Sequence, residues 1–312
     1  MEEVKRLFDL NLGLVLAGGG AKGAYEAGVF KALWELDIIR RISVVSGTSI
    51  GTVNALMLSM NDNKIMDESW SSLSYSRFIT NEINVRDLKF SNLIRRAKQR
   101  DKSAIELIRE SDIGLISQSG VRRFIEEYVD LKVIKESKKT LYACAYNIDF
   151  KKTEYFRLNE FEEDEIIDIA LASCAIPFVF KPIKINEYRY ADGGINNPKY
   201  SCQNADNVPI NPLKHHNCDV IIVVHLSYKQ PIDKSGFEDT HIIEIYPSIP
   251  LETINGIGTV NLMTSTLNQH VELGYRDALT ILAPIIIDML KGKPLDKLIK
   301  KHEEYNKQFK RL

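Results

Sequence analysis

Three short glycine-framed segments contain residue types that could perform acyl chemistry. Gly47-Thr48-Ser49-Ile50-Gly51 matches the GxSxG pattern, in which small neighbours let a serine sit on a sharp turn with its hydroxyl pushed outward. A serine hydroxyl is a weak nucleophile until a base takes its proton, and the usual base is a histidine held by a carboxylate. Six histidines are present (His215, His216, His225, His241, His270 and His302), and only His225, closing the apolar run Val220–Val224, is placed to face a site. The other candidate base is Asp192 in Tyr190-Ala191-Asp192-Gly193-Gly194, where Gly193 and Gly194 permit close backbone approach. Asp-Gly is also an ordinary turn pair. The third segment, Gly18-Gly19-Gly20-Ala21-Lys22-Gly23, fits GxGxxG. Its backbone N–H groups could cradle a pyrophosphate or stabilise an oxyanion.

The elements around these segments narrow the choice. Leu12–Ala17 reads as a buried strand running into the glycine loop, and Gly23–Leu36 has helical spacing. Ile42–Val45 reads as a second strand, leading through Ser46-Gly47 to a helix at Thr52–Met60. Strand, glycine turn and helix, twice in succession, predict an α/β fold with a mainly parallel central sheet flanked by helices. A dinucleotide site would need an acidic residue at the end of the second strand. That strand ends Val44-Val45-Ser46-Gly47, so the dinucleotide reading lacks its ribose partner. Lys22 reads either as a phosphate clamp or as a helix-start lysine paired with a structural carboxylate. Residues 61–138 are polar and helix-prone and predict a helical insertion. Further strands are expected at Leu141–Ile148, Thr153–Leu158, Ile183–Ile185, Tyr188–Ala191, Val220–Leu226 and His241–Tyr246, with helices at Glu163–Ser173 and Asn261–Leu290.

With the glycine loop, the GxSxG segment and the later Asp-Gly-Gly in this order, the chain resembles the patatin-like phospholipase family over roughly residues 10–285. Ala170–Pro177, Asp206–Pro209 and Glu272–Ala278 add softer similarity. The resemblance implies a three-layer architecture related to α/β-hydrolases; beyond the matched span, 286–312 reads as a basic helical tail. It implies a Ser–Asp dyad without histidine, with Ser49 as nucleophile, Asp192 as proton acceptor, and the loop Gly18, Gly19 and Gly20 as oxyanion hole. It further implies a lipid or acyl-ester substrate, no cofactor and no catalytic metal. The family commonly carries an Asn-x-Pro element close behind Asp-Gly-Gly. Here Asn196-Asn197-Pro198 and Asp206–Pro209 compete for that place, and Asn197–Ala205 looks like a local insertion.

The bulk properties set limits on these readings. The chain has 312 residues, 44% hydrophobic and 27% charged, with 41 Lys+Arg against 42 Asp+Glu. This is a globular composition with no excess of basic charge, which argues against nucleic-acid binding. Cys144, Cys174, Cys202 and Cys218 show no metal-ligand spacing and read as reduced thiols of a cytoplasmic protein. Met1–Leu16 carries Glu2, Glu3 and Asp9 and does not read as a secretory signal, and no run is long enough to span a membrane. Arg86–Arg109 and Lys291–Leu312 each hold eight Lys/Arg against three Asp/Glu, which raises peripheral contact with an anionic membrane beside the plainer reading of solvated helices. Two rivals to the dyad stay open: a Ser–His–Asp esterase using His225, and a non-catalytic lipid-binding module of the same fold.

Overall fold

The computed structural model describes residues 10–73, 118–177, 179–194, 205–228, 230–251 and 262–307. The basic stretch 86–109, the Asn196-Asn197-Pro198 element and nearly all of the 197–205 insertion lie outside the described residues.

A mixed sheet forms the middle layer, in the order β5-β6-β3-β2-β1-β7-β8, with β4 on the far edge of β3. Its parallel part is β1 (Leu12–Leu16), β2 (Ile42–Thr48), β3 (Thr140–Asn147), β7 (Val220–Val224) and β8 (His241–Ile245). β1 and β7 are buried at every position. Strands covered by helices on both faces have no polar side to present, so they read as unbroken apolar runs. Helix α1 (Ala24–Glu35) follows β1 after a single 3-10 turn at Gly20–Gly23, and α2 (Ile50–Ser59) follows β2.

The described part of the expected insertion is helical: α3 (Asn63–Ser71), α4 (Ser119–Tyr128) and α5 (Leu131–Glu136). Helix α6 (Glu163–Ser173) starts with a capping box between Glu162 and Glu165, and acidic residues Glu163, Asp164 and Glu165 meet the positive end of its dipole. Helix α7 (Thr264–Leu290) continues through Pro284, and α8 (Leu295–Asn306) returns along β8, where His302 and Asn306 meet the Glu244 carbonyl.

The arrangement that matters most for the site surrounds β3. β4 (Lys152–Arg157) is antiparallel to β3 and occupies one edge from Tyr142 to Asn147. β2 and β6 (Tyr188–Asp192) must therefore share the opposite edge in succession. β2 pairs along it up to Thr48 opposite Cys144, and β6 takes over with Asp192 opposite Ala145. The two strands run toward each other and meet end to end. The residues at the joint, Ser49 just past β2 and Asp192 closing β6, are thus brought to adjacent positions on one β3 edge. β5 (Ile183–Ile185) completes a hairpin with β6.

Candidate active site

Ser49 sits in the one-residue bend between β2 and α2, with φ 56° and ψ −126°. A non-glycine residue in this region is strained, and such strain clusters at functional turns. Packing around the bend enforces it. A Cβ on Gly47 would lie 2.4 Å from the Gly51 backbone, and a Cβ on Gly51 would lie 2.4 Å from the Leu16 carbonyl oxygen, so both glycines are steric requirements of the turn. Ser173, at the end of α6, anchors the bend from below. Its Oγ accepts the Ser49 N–H at 2.8 Å, donates to the Cys144 carbonyl at 2.7 Å, and touches Thr52 Oγ1 at 2.9 Å.

The Ser49 hydroxyl neighbours the Asp192 carboxyl and the Cys174 thiol, and it lowers the pKa of each. Both partners of the Ser49–Asp192 contact are buried, at 5% and 3% exposure. Asp192 Oδ1 also accepts the Gly194 N–H at 2.8 Å, and the Asp192 N–H is held by the Ala175 carbonyl at 3.0 Å. Burial raises the Asp192 pKa to about 6, and the hydrogen bonds from Ser49 and Gly194 only partly oppose this. No cationic group among the described residues contributes to that shift. Cys174 and Cys144 lie near the carboxylate; burial pushes both thiols up, helped by the negative field of Asp192 at Cys174 and of Asp206 and then Asp192 at Cys144, so they stay neutral.

The glycine loop lies beside the bend, and its three glycines are not equivalent. The Gly18 N–H is donated to the Asn207 carbonyl at 3.0 Å. The expectation that Gly18, Gly19 and Gly20 all act as oxyanion donors therefore needs correction at Gly18, whose hydrogen is already engaged. Among the described residues Gly19 and Gly20 have no backbone acceptor for their N–H groups, and Gly20 adopts φ 58°. Lys22 is buried at 7% exposure, with its Cε 3.3 Å from where a Gly19 Cβ would stand, so its stem folds back over the loop. Gly23 is buried where the loop passes into α1.

Asn207 carries no signal of its own in the sequence beyond the competing Asn-x-Pro element, yet it ties the motifs together. Its Nδ2 donates to the Gly18 carbonyl at 2.9 Å and to Gln230 Oε1 at 2.7 Å. Its Oδ1 fills the space that a Cβ on Gly18 or on Gly194 would need, at 2.3 and 1.9 Å. The preceding residue, Asp206, donates its N–H to the Gly193 carbonyl at 2.8 Å and accepts Thr48 Oγ1 on its own carbonyl at 2.8 Å. Residues 206–207 thus hold the glycine loop, the serine bend and the Asp-Gly-Gly segment at once.

His225 lies elsewhere. It is fully buried, stacked on Tyr246 at 4.1 Å between ring centroids, with Nε2 3.3 Å from Glu244 Oε1. Glu244 in turn accepts Lys234 Nζ at 2.9 Å and the Tyr246 hydroxyl at 2.7 Å. The imidazole therefore faces β8, with β1 standing between its own strand and β2. His225 is not among the groups acting on Asp192.

The model of the patatin-like phospholipase family matches residues 14–213, a span that contains all three motifs. The chain is 29% identical over 215 residues to a probable lipid hydrolase of Invertebrate iridescent virus 6, covering 65% of this chain and 64% of that protein. A shorter match, 47% identical over 53 residues, relates 17% of this chain to 3% of a lysophospholipase of Aspergillus terreus. In both cases the chain spans less than two thirds of the relative's length. Among solved structures, VipD from Legionella pneumophila shares the fold, with a TM-score of 0.51 at 16% identity over 88% of this chain and 67% of that one. With a sheet, loop and bend of this form, and a family match over most of its length, the chain belongs to the patatin-like phospholipase family.

Proposed function

We propose that the protein is a serine acyl hydrolase acting on lipid esters, with Ser49 as nucleophile and Asp192 as its general base. Ser49 Oγ attacks the ester carbonyl while its proton passes to Asp192. The oxyanion that forms is held by the N–H groups of Gly19 and Gly20. Asp192 returns the proton to the leaving alcohol, leaving an acyl group on Ser49. A water molecule then gives a proton to Asp192 and attacks the acyl carbonyl, and Ser49 recovers its hydrogen as the fatty acid departs. Each oxyanion donor is worth about 3–4 kcal/mol in chemistry of this kind.

The observation that carries the reading is the buried Ser49–Asp192 contact at the β2–β6 joint. A carboxyl with a pKa near 6 is ionised at neutral pH and is a better proton acceptor than an exposed aspartate. Names of relatives, a lipid hydrolase and a lysophospholipase, support lipid esters as the substrate class. The test is labelling by a fluorophosphonate together with release of nitrophenol from a short-chain ester. The parent protein is expected to react in both assays. Ser49→Ala should abolish labelling and lower hydrolysis by about 10³-fold or more, and Asp192→Asn should cause a similar loss. A folded parent protein that is neither labelled nor active would instead identify a non-catalytic lipid-binding module.

A further inference from the structure

Register places two exposed aromatic side chains above the joint. Asp192 stands opposite Ala145, Tyr190 opposite Asn147, and β6 reaches its other end at Tyr188, opposite Ile185 of the hairpin. Four residue steps along the strand separate Tyr188 from Asp192, a climb of about 13 Å beyond the level of the dyad. The turn after β3 rises beside it and carries Phe150. Phe150 and Tyr188 are 55% and 41% exposed, with ring centroids 4.7 Å apart. The two tips form one rigid platform. Arg189 donates its backbone N–H to Asp149 Oδ2 at 2.8 Å and a guanidinium N–H to Asp149 Oδ1 at 2.7 Å, while the Ile148 N–H bonds the Arg189 carbonyl at 2.8 Å. Lys152 Nζ lies over the Phe150 ring at 5.5 Å. Lys151 and Lys184 are exposed, and the tips hold Lys151, Lys152, Lys184 and Arg189 against Asp149, Glu187 and Glu154, the last paired with Lys152 at 3.0 Å.

A second exposed apolar patch, Ile287 and Leu290 at the end of α7, has the wrong location. The start of α8 is fixed to the start of β8 by His241 and Asp296 at 3.0 Å, which puts that patch at the opposite end of the parallel strands from Ser49. Exposed aromatic rings ringed by cations are the side-chain chemistry of a bilayer interface, and lysines near an anionic surface each add attraction. We infer that the Phe150–Tyr188 platform is a docking surface for an anionic phospholipid bilayer, seating the sheet end that carries Ser49 and Asp192 against the lipid. The inference rests on the reading of the site as a lipid acyl hydrolase, but its test does not depend on hydrolysis.

The experiment is flotation with vesicles of phosphatidylcholine alone and of phosphatidylcholine with phosphatidylserine, using the full chain in a Ser49→Ala background so that the lipid stays intact. The Ser49→Ala protein is expected to float with the anionic vesicles. Adding Phe150→Ser and Tyr188→Ser should lower the partition coefficient about tenfold or more, with the thermal midpoint showing that the fold is kept. Lys151→Glu with Lys184→Glu should weaken binding to anionic vesicles and remove its salt dependence. Independently, Phe150→Trp should show blue-shifted emission on anionic vesicles relative to the parent spectrum. Undiminished flotation of the double serine variant would overturn the assignment, as would no binding of the Ser49→Ala protein to either vesicle. Concentration-dependent self-association lost in the double serine variant, without vesicle binding, would make the platform a protein–protein contact and equally overturn it.

Discussion

Asp192 and Glu244 are both buried carboxylates near the strand ends where the site lies, at 3% and 4% exposure, and burial raises the pKa of each taken alone. Their surroundings then act differently. Glu244 is held by His225 and by the Lys234 ammonium, and these partners overcome the burial and hold its carboxyl far below the usual range. Asp192 has only neutral donors, Ser49 and the Gly194 N–H, and ends near 6. A buried acid given a cation is locked as an anion and serves the fold. A buried acid denied one keeps a proton affinity matched to neutral solution, which suits a base. The comparison also explains why the histidine best placed by sequence does not join the serine: His225 is engaged by the other carboxylate.

The largest expected effect is on the pH profile. With Asp192 as the proposed base, hydrolysis needs it ionised, so kcat/KM should rise with a single step near pH 6, level off above it, and fall about tenfold per unit below it. A profile flat down to pH 4, measured on a soluble ester, would break the contrast at its more important half. Next comes Asn207, which holds the glycine loop next to Asp192. Asn207→Ala should lower kcat/KM by about 10- to 100-fold, and the affinity for a trifluoromethyl ketone that mimics the tetrahedral state should fall in parallel.

The two acids should also affect stability with opposite signs. Asp192 has a folded pKa above its unfolded value of about 3.9, so its favourable contribution is complete below that pH and lost as pH rises through about 6. Asp192→Asn should therefore be more stable than the parent at pH 8, by about 2–3 kcal/mol, and nearly equal to it at pH 4. Glu244 is the reverse case. Its contribution is present above the unfolded value of about 4.3 and is lost only as pH falls below it. Glu244→Gln should thus cost about 2–4 kcal/mol in urea unfolding at pH 7, because Lys234 loses its counter-charge and His225 its carboxylate partner. The smallest kinetic effect belongs to His225. His225→Asn should lower the thermal midpoint but leave kcat/KM within about threefold, and a loss as deep as that of Asp192→Asn would restore the triad.

Much of this was legible in the residues because the relevant signals are local. Helix α6 is bounded in the sequence by its acidic first turn, and β1 and β7 by their apolar runs. The end of β2 was less clear. Ser46-Gly47-Thr48 lacks strand propensity, yet it pairs with Tyr142, Ala143 and Cys144, so the strand runs to Thr48 and α2 begins at Ile50 instead of Thr52. Long-range partners were not legible. Asn207 meets Gly18, and Ser173 meets Ser49, across stretches of chain that no periodicity connects. The engagement of the Gly18 N–H is of the same kind: a GxGxxG pattern identifies a loop that can donate, and only the pairing with Asn207 shows which hydrogen is already taken.

The edge of β3 that passes from one strand to another has a consequence for how this protein can vary. The spacing of Ser49 and Asp192 is measured off by the repeat of a single backbone, between Cys144 and Ala145. Connections threaded between Ser49 and Asp192 that touch neither β3, β6 nor the Ser173–Ala175 support can lengthen, shorten or be replaced while the pair keeps its distance. Removing one residue from β3 between Tyr142 and Asn147 would instead turn Asp192 to the other side of the sheet, and no side-chain substitution could bring it back.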